Sequence, residues 1–171
     1  MVLSANKGNS HKVTRSEGNS PTGGKEMGLV YVEIELLSID DLALSRRGFL
    51  PAEEVKRTRC RALVDSGAYE LVINEDIKKQ LDLPVLEERI AKLADDSERR
   101  VELVGPVEIR FENRSTVVRA MVLPGAAEIL LGAIPMEGLD VVIDPREQRL
   151  IVNPAYPNIP STYAKTAALG V

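Results

Sequence analysis

A strand that stops at an acid governs how this chain can fold. In residues 57–64, "RTRCRALV", Arg57, Arg59 and Arg61 fall on one face and Cys60, Ala62 and Val64 on the other, the two-residue period of a half-buried strand. The run leads straight into Asp65-Ser66-Gly67, and apolar residues return in "YELVI". The pattern therefore predicts Asp65 at a strand end, in a tight turn from which a second strand leaves. Aromatic residues are only 4% of the 171, so the core must be built mainly from Val, Leu, Ile and Ala, which favours strands over helices.

The remaining pattern agrees. Val30, Val32, Ile34 and Leu36 alternate with Tyr31, Glu33 and Glu35, a strand with one wet face. Residues 38–56 break the alternation and read as an insertion or long loop, with a helical turn at Asp40 to Leu44. Asn74 is placed to cap a short helix in which Glu75 and Asp76 suit the positive end of the dipole and Ile77 and Leu81 share a face, with Pro84 marking its end. A hairpin is expected about the polar tip Asp95, Asp96 and Ser97, and a second one between "PVEIRF" and "TVVRAMVL" about "ENRS". Then follow a buried apolar run ending at Gly132, a helical turn near Pro135 to Gly138, and strands at Leu139 to Ile143 and Arg149 to Val152 about Asp144-Pro145. The fold class is all-β with one or two short helices. The expected organisation is a disordered tail over 1–27, one domain over 28–154 with the insertion 38–56, and a C-terminal tail over 155–171.

Composition removes several kinds of chemistry. A nucleophilic triad needs a general base, and the single histidine, His11, lies in the polar N-terminal tail. The single cysteine, Cys60, has no partner for an internal disulfide and belongs to no metal-spaced cluster, so no metal or other cofactor is expected, and a reducing, cytoplasmic setting fits. The formal charge of -4, with basic residues scattered among acids, gives no nucleic-acid surface, and no apolar run reaches the length of a membrane span. Carboxylate chemistry remains. The tripeptide Asp-Ser-Gly alone reads as a β-turn.

Its surroundings carry more. "ALVDSGA", residues 62–68, resembles the active-site arm of retroviral-type (retropepsin-like) aspartic proteases, and "EILLGAIPMEGLDVVID" resembles their closing segment, with Leu130, Leu131 and Gly132 in the apolar-apolar-Gly place. The resemblance, which runs from about Leu29 to Pro154, implies a closed β-barrel or sandwich active as a two-fold homodimer. It also implies Asp65 as the catalytic residue, supported by Ser66, Gly67 and Ala68, and residues Ala94, Asp95, Asp96 and Ser97 as the tip of a flap. Only one such arm is present: Asp144 also follows an apolar run, but Pro145 comes next, so it reads as a turn. The second catalytic carboxylate would then be Asp65 of another copy, and the partners would be a peptide or protein substrate and a second chain. Departures from the viral pattern are the acids at the candidate flap tip, Ala133-Ile134 after Gly132, and the insertion. Two rival readings are a retropepsin-like dimer that binds or scaffolds without cleaving, and an unrelated all-β module in which Asp65 is only a turn.

Overall fold

The computed structural model of the chain describes residues 28–164. The expected tail 1–27, with His11, and residues 165–171 lie outside them. β1 (Tyr31–Ser38) buries Val32, Ile34 and Leu36, as the alternation requires. It pairs antiparallel with β2 (Arg57–Val64), so that Glu33 faces Arg61 and Glu35 faces Arg59 on the wet side, where the Arg61 guanidinium also lies 3.8 Å over the Tyr31 ring.

The insertion between these strands is folded. Ser38 caps α1 (Ile39–Arg46) by accepting from the Asp41 N–H at 3.3 Å, and Asp40 and Asp41 occupy its first turn. Asp41 is buried and accepts from the Lys56 N–H at 2.9 Å and its ammonium at 3.2 Å, which closes the base of the insertion beside the Ser38 to Lys56 backbone bond. A single 3-10 turn, Ala52–Glu54, completes the connection.

β3 (Leu71–Asn74) leads into α2 (Glu75–Gln80), capped by Asn74, whose side-chain oxygen accepts from the Ile77 N–H at 3.1 Å. β4 (Val85–Lys92) and β5 (Glu98–Phe111) form the first hairpin, and β5 with β6 (Arg114–Leu123) the second. β7 (Leu130–Leu131), α3 (Ala133–Leu139), β8 (Val141–Asp144) and β9 (Arg149–Val152) complete the described elements. Seven strands form one sheet in the order β1-β2-β7-β3-β6-β5-β4, and β1 additionally pairs with β5; β8 and β9 form a separate two-stranded sheet. Leu36, Leu71, Ile73, Val104, Ile109 and Leu131 lie at the centre of one hydrophobic core.

Three expectations need correction. The described residues contain three α-helices and a 3-10 turn rather than one or two short helices, because the Ser38 and Asn74 caps and a Gly132 start each give a full helix. The strand expected at Leu139 to Ile143 is β8, Val141–Asp144: Leu139 ends α3 and Asp140 takes a left-handed conformation, with φ of 51°, that stops the helix. "VELVG" and "PVEIRF" belong to one strand, β5, whose register with β6 shifts between Val104 and Val107, where Gly105 and Pro106 interrupt the ladder.

The segment after β9 is tied back onto the domain. Asp140 accepts from the Asn153 side-chain amide at 2.9 Å, the Ser161 N–H at 2.7 Å and its hydroxyl at 3.0 Å, while the buried Arg114 donates to the Tyr156 carbonyl. The Asn153 hydrogen bond first, then those of Ser161 and the Arg114 charge, hold the Asp140 carboxyl below its ordinary range. A depressed folded-state value contributes stability that is complete above the unfolded aspartate range and is lost as pH falls through the folded value. Acidification below about pH 4 is therefore expected to loosen residues 153–161, read as faster amide exchange at Ser161. Asp140→Asn should abolish that pH dependence; if both proteins respond alike, Asp140 is not the latch.

Candidate active site

Asp65 stands where the apolar pattern of β2 placed it, one residue past the strand end. The arm that carries it is held by main-chain bonds. β7 runs parallel to β2, with Leu63 beside Leu130 and Val64 beside Leu131, and antiparallel to β3 on its other side. The Leu63 N–H donates to the Ile129 carbonyl at 2.8 Å and the Asp65 N–H to the Leu131 carbonyl at 3.1 Å. The turn then closes on itself: the Gly67 N–H donates to Asp65 Oδ1 at 2.9 Å and the Ala68 N–H to the Asp65 carbonyl at 3.1 Å. Asp65 is half-buried, and Ser66 and Gly67 are exposed. The carboxylate is thus oriented by its own turn while keeping an open side.

Gly132 explains why β7 ends where it does. The loop after Asp65 crosses the start of α3, with the Ala133 N–H on the Ala68 carbonyl at 2.8 Å and the Ile134 N–H on the Tyr69 carbonyl at 3.0 Å. A Cβ on Gly132 would press on the Glu70 carbonyl oxygen and lie 2.7 Å from the Ala68 carbonyl oxygen. Only glycine permits this approach. The sequence motifs at Asp65–Ala68 and Leu130–Gly132, some sixty residues apart, are therefore the two halves of one backbone crossing.

The other candidate residues make no hydrogen bond to Asp65. Ala94, Asp95, Asp96 and Ser97 form the turn of the β4–β5 hairpin, with Asp96 at a φ of 61°. Asp95 accepts from the Ser97 hydroxyl at 2.5 Å and its N–H at 3.1 Å, and these bonds hold its carboxyl below the usual range, so the tip is charged at neutral pH. Asp144 accepts from the Arg146 N–H at 3.0 Å and the Glu147 N–H at 3.2 Å, the turn expected of Asp144-Pro145. Asp140 caps the far end of α3 from Gly132, about 12 Å along the axis. Cys60 packs against the core, and burial first, with Glu33 second, pushes its thiol up to about 11, which leaves it unreactive at neutral pH. Among the described residues, no group of three or more His, Cys, Asp or Glu side chains is gathered to hold a metal ion, and no helix is long and apolar enough to cross a membrane.

Residues 53–134 match the model of an aspartyl protease family of the retropepsin-like type. No curated protein matches the chain. The aspartyl protease match takes in β2, the Asp65 arm, both hairpins, β7 and Gly132, and it stops at Ile134, before β8, β9 and the segment latched to Asp140. Asp65–Ala68 and Leu130–Gly132 both lie inside the matched residues, whereas the closing segment from Pro135 to Asp144 lies beyond them.

Sequence reasoning missed the apolar rim of the arm. Tyr69 is 77% exposed and Ile134 47% exposed, joined through their backbones, and Leu29 is exposed one residue before Val30, whose carbonyl accepts from the Val64 N–H at 2.8 Å. Leu29 and Ile134 belong to segments far from Asp65 in the chain, so no local pattern could reveal that they border it.

Proposed function

We propose that the chain is an aspartic endopeptidase whose catalytic centre is assembled from two copies of Asp65 in a homodimer. The observation that carries this reading is the arm itself: a half-buried carboxylate oriented by the Gly67 N–H, fixed through its own N–H to β7, and locked by the Gly132 crossing. The described residues contain one such arm, and the exposed apolar groups around it, Leu29, Tyr69 and Ile134, are what a contact with a second copy or a peptide would cover. The β1 to β5 pairing, which returns the order of the large sheet on itself, supports a closed barrel as the body of each protomer.

In the dimer, two carboxylates held together share one proton. The ionised Asp65 removes a proton from a water as it attacks the peptide carbonyl, and the protonated Asp65 donates its proton to the carbonyl oxygen, giving a neutral tetrahedral diol. Collapse of the diol breaks the C–N bond. The proton gained from water passes to the leaving amine and a hydroxyl proton returns to the dyad, so that one water is consumed and one acid and one amine are formed. Ser66 braces the two arms, Ala68 lines the pocket beside the substrate backbone, and the turn Ala94 to Ser97 closes over the peptide as a flap. The lone, unreactive thiol suits a reducing, cytoplasmic setting.

The test is cleavage of a diverse peptide pool, measured across pH and chain concentration beside the sedimentation mass. A two-chain site requires the rate per chain to rise with concentration in step with the dimer fraction. A dimer that cleaves nothing at any pH would instead favour the scaffolding reading, and a monomer whose cleavage is independent of concentration would refute the shared site.

A further inference from the structure

We propose that Arg119 is a positioning residue that ties the Asp65 arm to the β4–β5 hairpin, so that the placement of the hairpin over a peptide and the conformation of the arm are set together; its role in peptide binding rests on the protease reading above. Arg119 lies on β6, between Val118, which faces Val107, and Ala120, which faces Val104, opposite the interruption in β5. Its side chain spans that gap. One guanidinium nitrogen, Nη1, donates to Glu87 Oε1 on β4 at 2.8 Å, and the other, Nη2, lies 3.6 Å from Glu70 Oε1, five residues past Asp65. The fixed fork of a guanidinium can hold two carboxylates on separate elements, which a lysine point charge does less well.

The hairpin gives this bridge something to control. Its base is clamped twice, by Arg119 on Glu87 and by Lys78 of α2 on Glu102 of β5, and the β4–β5 register shifts between Val85 and Glu87. Beyond the clamps, residues 88–100 are mostly exposed, Ile90 by 60%, and the side-chain pair across the strands is the exposed Arg100 to Glu88 contact at 3.4 Å. A hairpin of this kind opens at low cost about its base. Of the two clamps, only Arg119 also reaches the arm, and it does so through the residue whose carbonyl bears on Gly132. Glu70, with its side chain only 16% exposed, is the relay.

Amide exchange of the full chain tests the link without requiring turnover. Glu70 makes no ion pair with the hairpin, yet Glu70→Gln and Arg119→Met are each expected to speed exchange across residues 88–100 by about three- to tenfold. Lys78→Met should speed the hairpin but leave the Gly67 and Ala68 amides unchanged, whereas Arg119→Met should speed both. With the peptide pool, Glu70→Gln and Arg119→Met should raise KM by a similar factor, while kcat stays within about twofold of wild type. Hairpin exchange in Glu70→Gln equal to wild type would overturn the link whether or not peptides are cleaved. Absence of cleavage by the wild type would overturn the protease reading, and with it the role in peptide binding.

Discussion

Replacing Gly132 by alanine is expected to destabilise the domain by about 3 kcal/mol or more, at the upper end of what overpacking costs. The reason is that the added methyl would meet main chain rather than a side-chain tip: the Glu70 carbonyl oxygen, the Ala68 carbonyl oxygen at 2.7 Å and the Tyr69 carbonyl carbon at 2.8 Å. A flexible side chain would rotate away, but here the loop after Asp65 must retreat as a unit. Retreat would stretch the bonds from the Ala133 and Ile134 N–H groups to that loop. For a domain whose whole stability is on the order of 5 to 15 kcal/mol, the loss is large. Urea unfolding should show a lower midpoint at an unchanged slope. Any surviving folded protein should show faster exchange at the Gly67 and Ala68 amides, whose acceptors both belong to Asp65. A midpoint equal to wild type would mean that the crossing is looser than described.

Asp65→Asn is expected to remove peptide cleavage, by about 10³-fold or more, while leaving the fold and the self-association intact. An asparagine side-chain oxygen can still accept from the Gly67 N–H, so the turn survives, but the amide neither takes a proton from water nor returns one. Mixing sharpens the test. If wild type is combined with an equal amount of the variant and the chains exchange freely, about a quarter of the dimers carry two native carboxylates, so the activity of a fixed amount of wild type falls to about half. A site confined to one chain would show no such fall. An undiminished rate in the mixture would therefore exclude the shared dyad even if Asp65 proved essential.

What is legible in the sequence divides along physical lines. β1, β2 and the Asn74 cap were legible because each is written in adjacent residues: alternation for the strands, and an amide three residues before the N–H it accepts from. The Asp65 turn was legible for the same reason. β5 reads as two strands in sequence because Gly105-Pro106 looks locally like a break, whereas the flanking pairings to β4, β6 and β1 carry the strand through it. The end of α3 is ambiguous in sequence because Leu139 suits a strand as well as a helix, and only packing in the core decides between them. Within the site, Asp65 and Gly132 are visible as motifs, but the crossing of the loop after Asp65 over Gly132 is not: it depends on β7 threading between β2 and β3. The Glu70 to Arg119 to Glu87 bridge left no trace in sequence, since its three members come from a loop and two strands that are not neighbours in the sheet.

The hydrogen bonds from Leu63 to Ile129, Asp65 to Leu131, Ala133 to Ala68 and Ile134 to Tyr69 all run between main-chain atoms. Any amino acid except proline at the donor positions could supply them. Apart from Gly132 and the Glu70 to Arg119 tie, the geometry of the Asp65 arm therefore depends little on which side chains border it. Tyr69, Ala133 and Ile134 can be exchanged for other side chains without moving the carboxylate, which leaves the border of the site open to change in response to new peptides or new partners while its centre stays fixed.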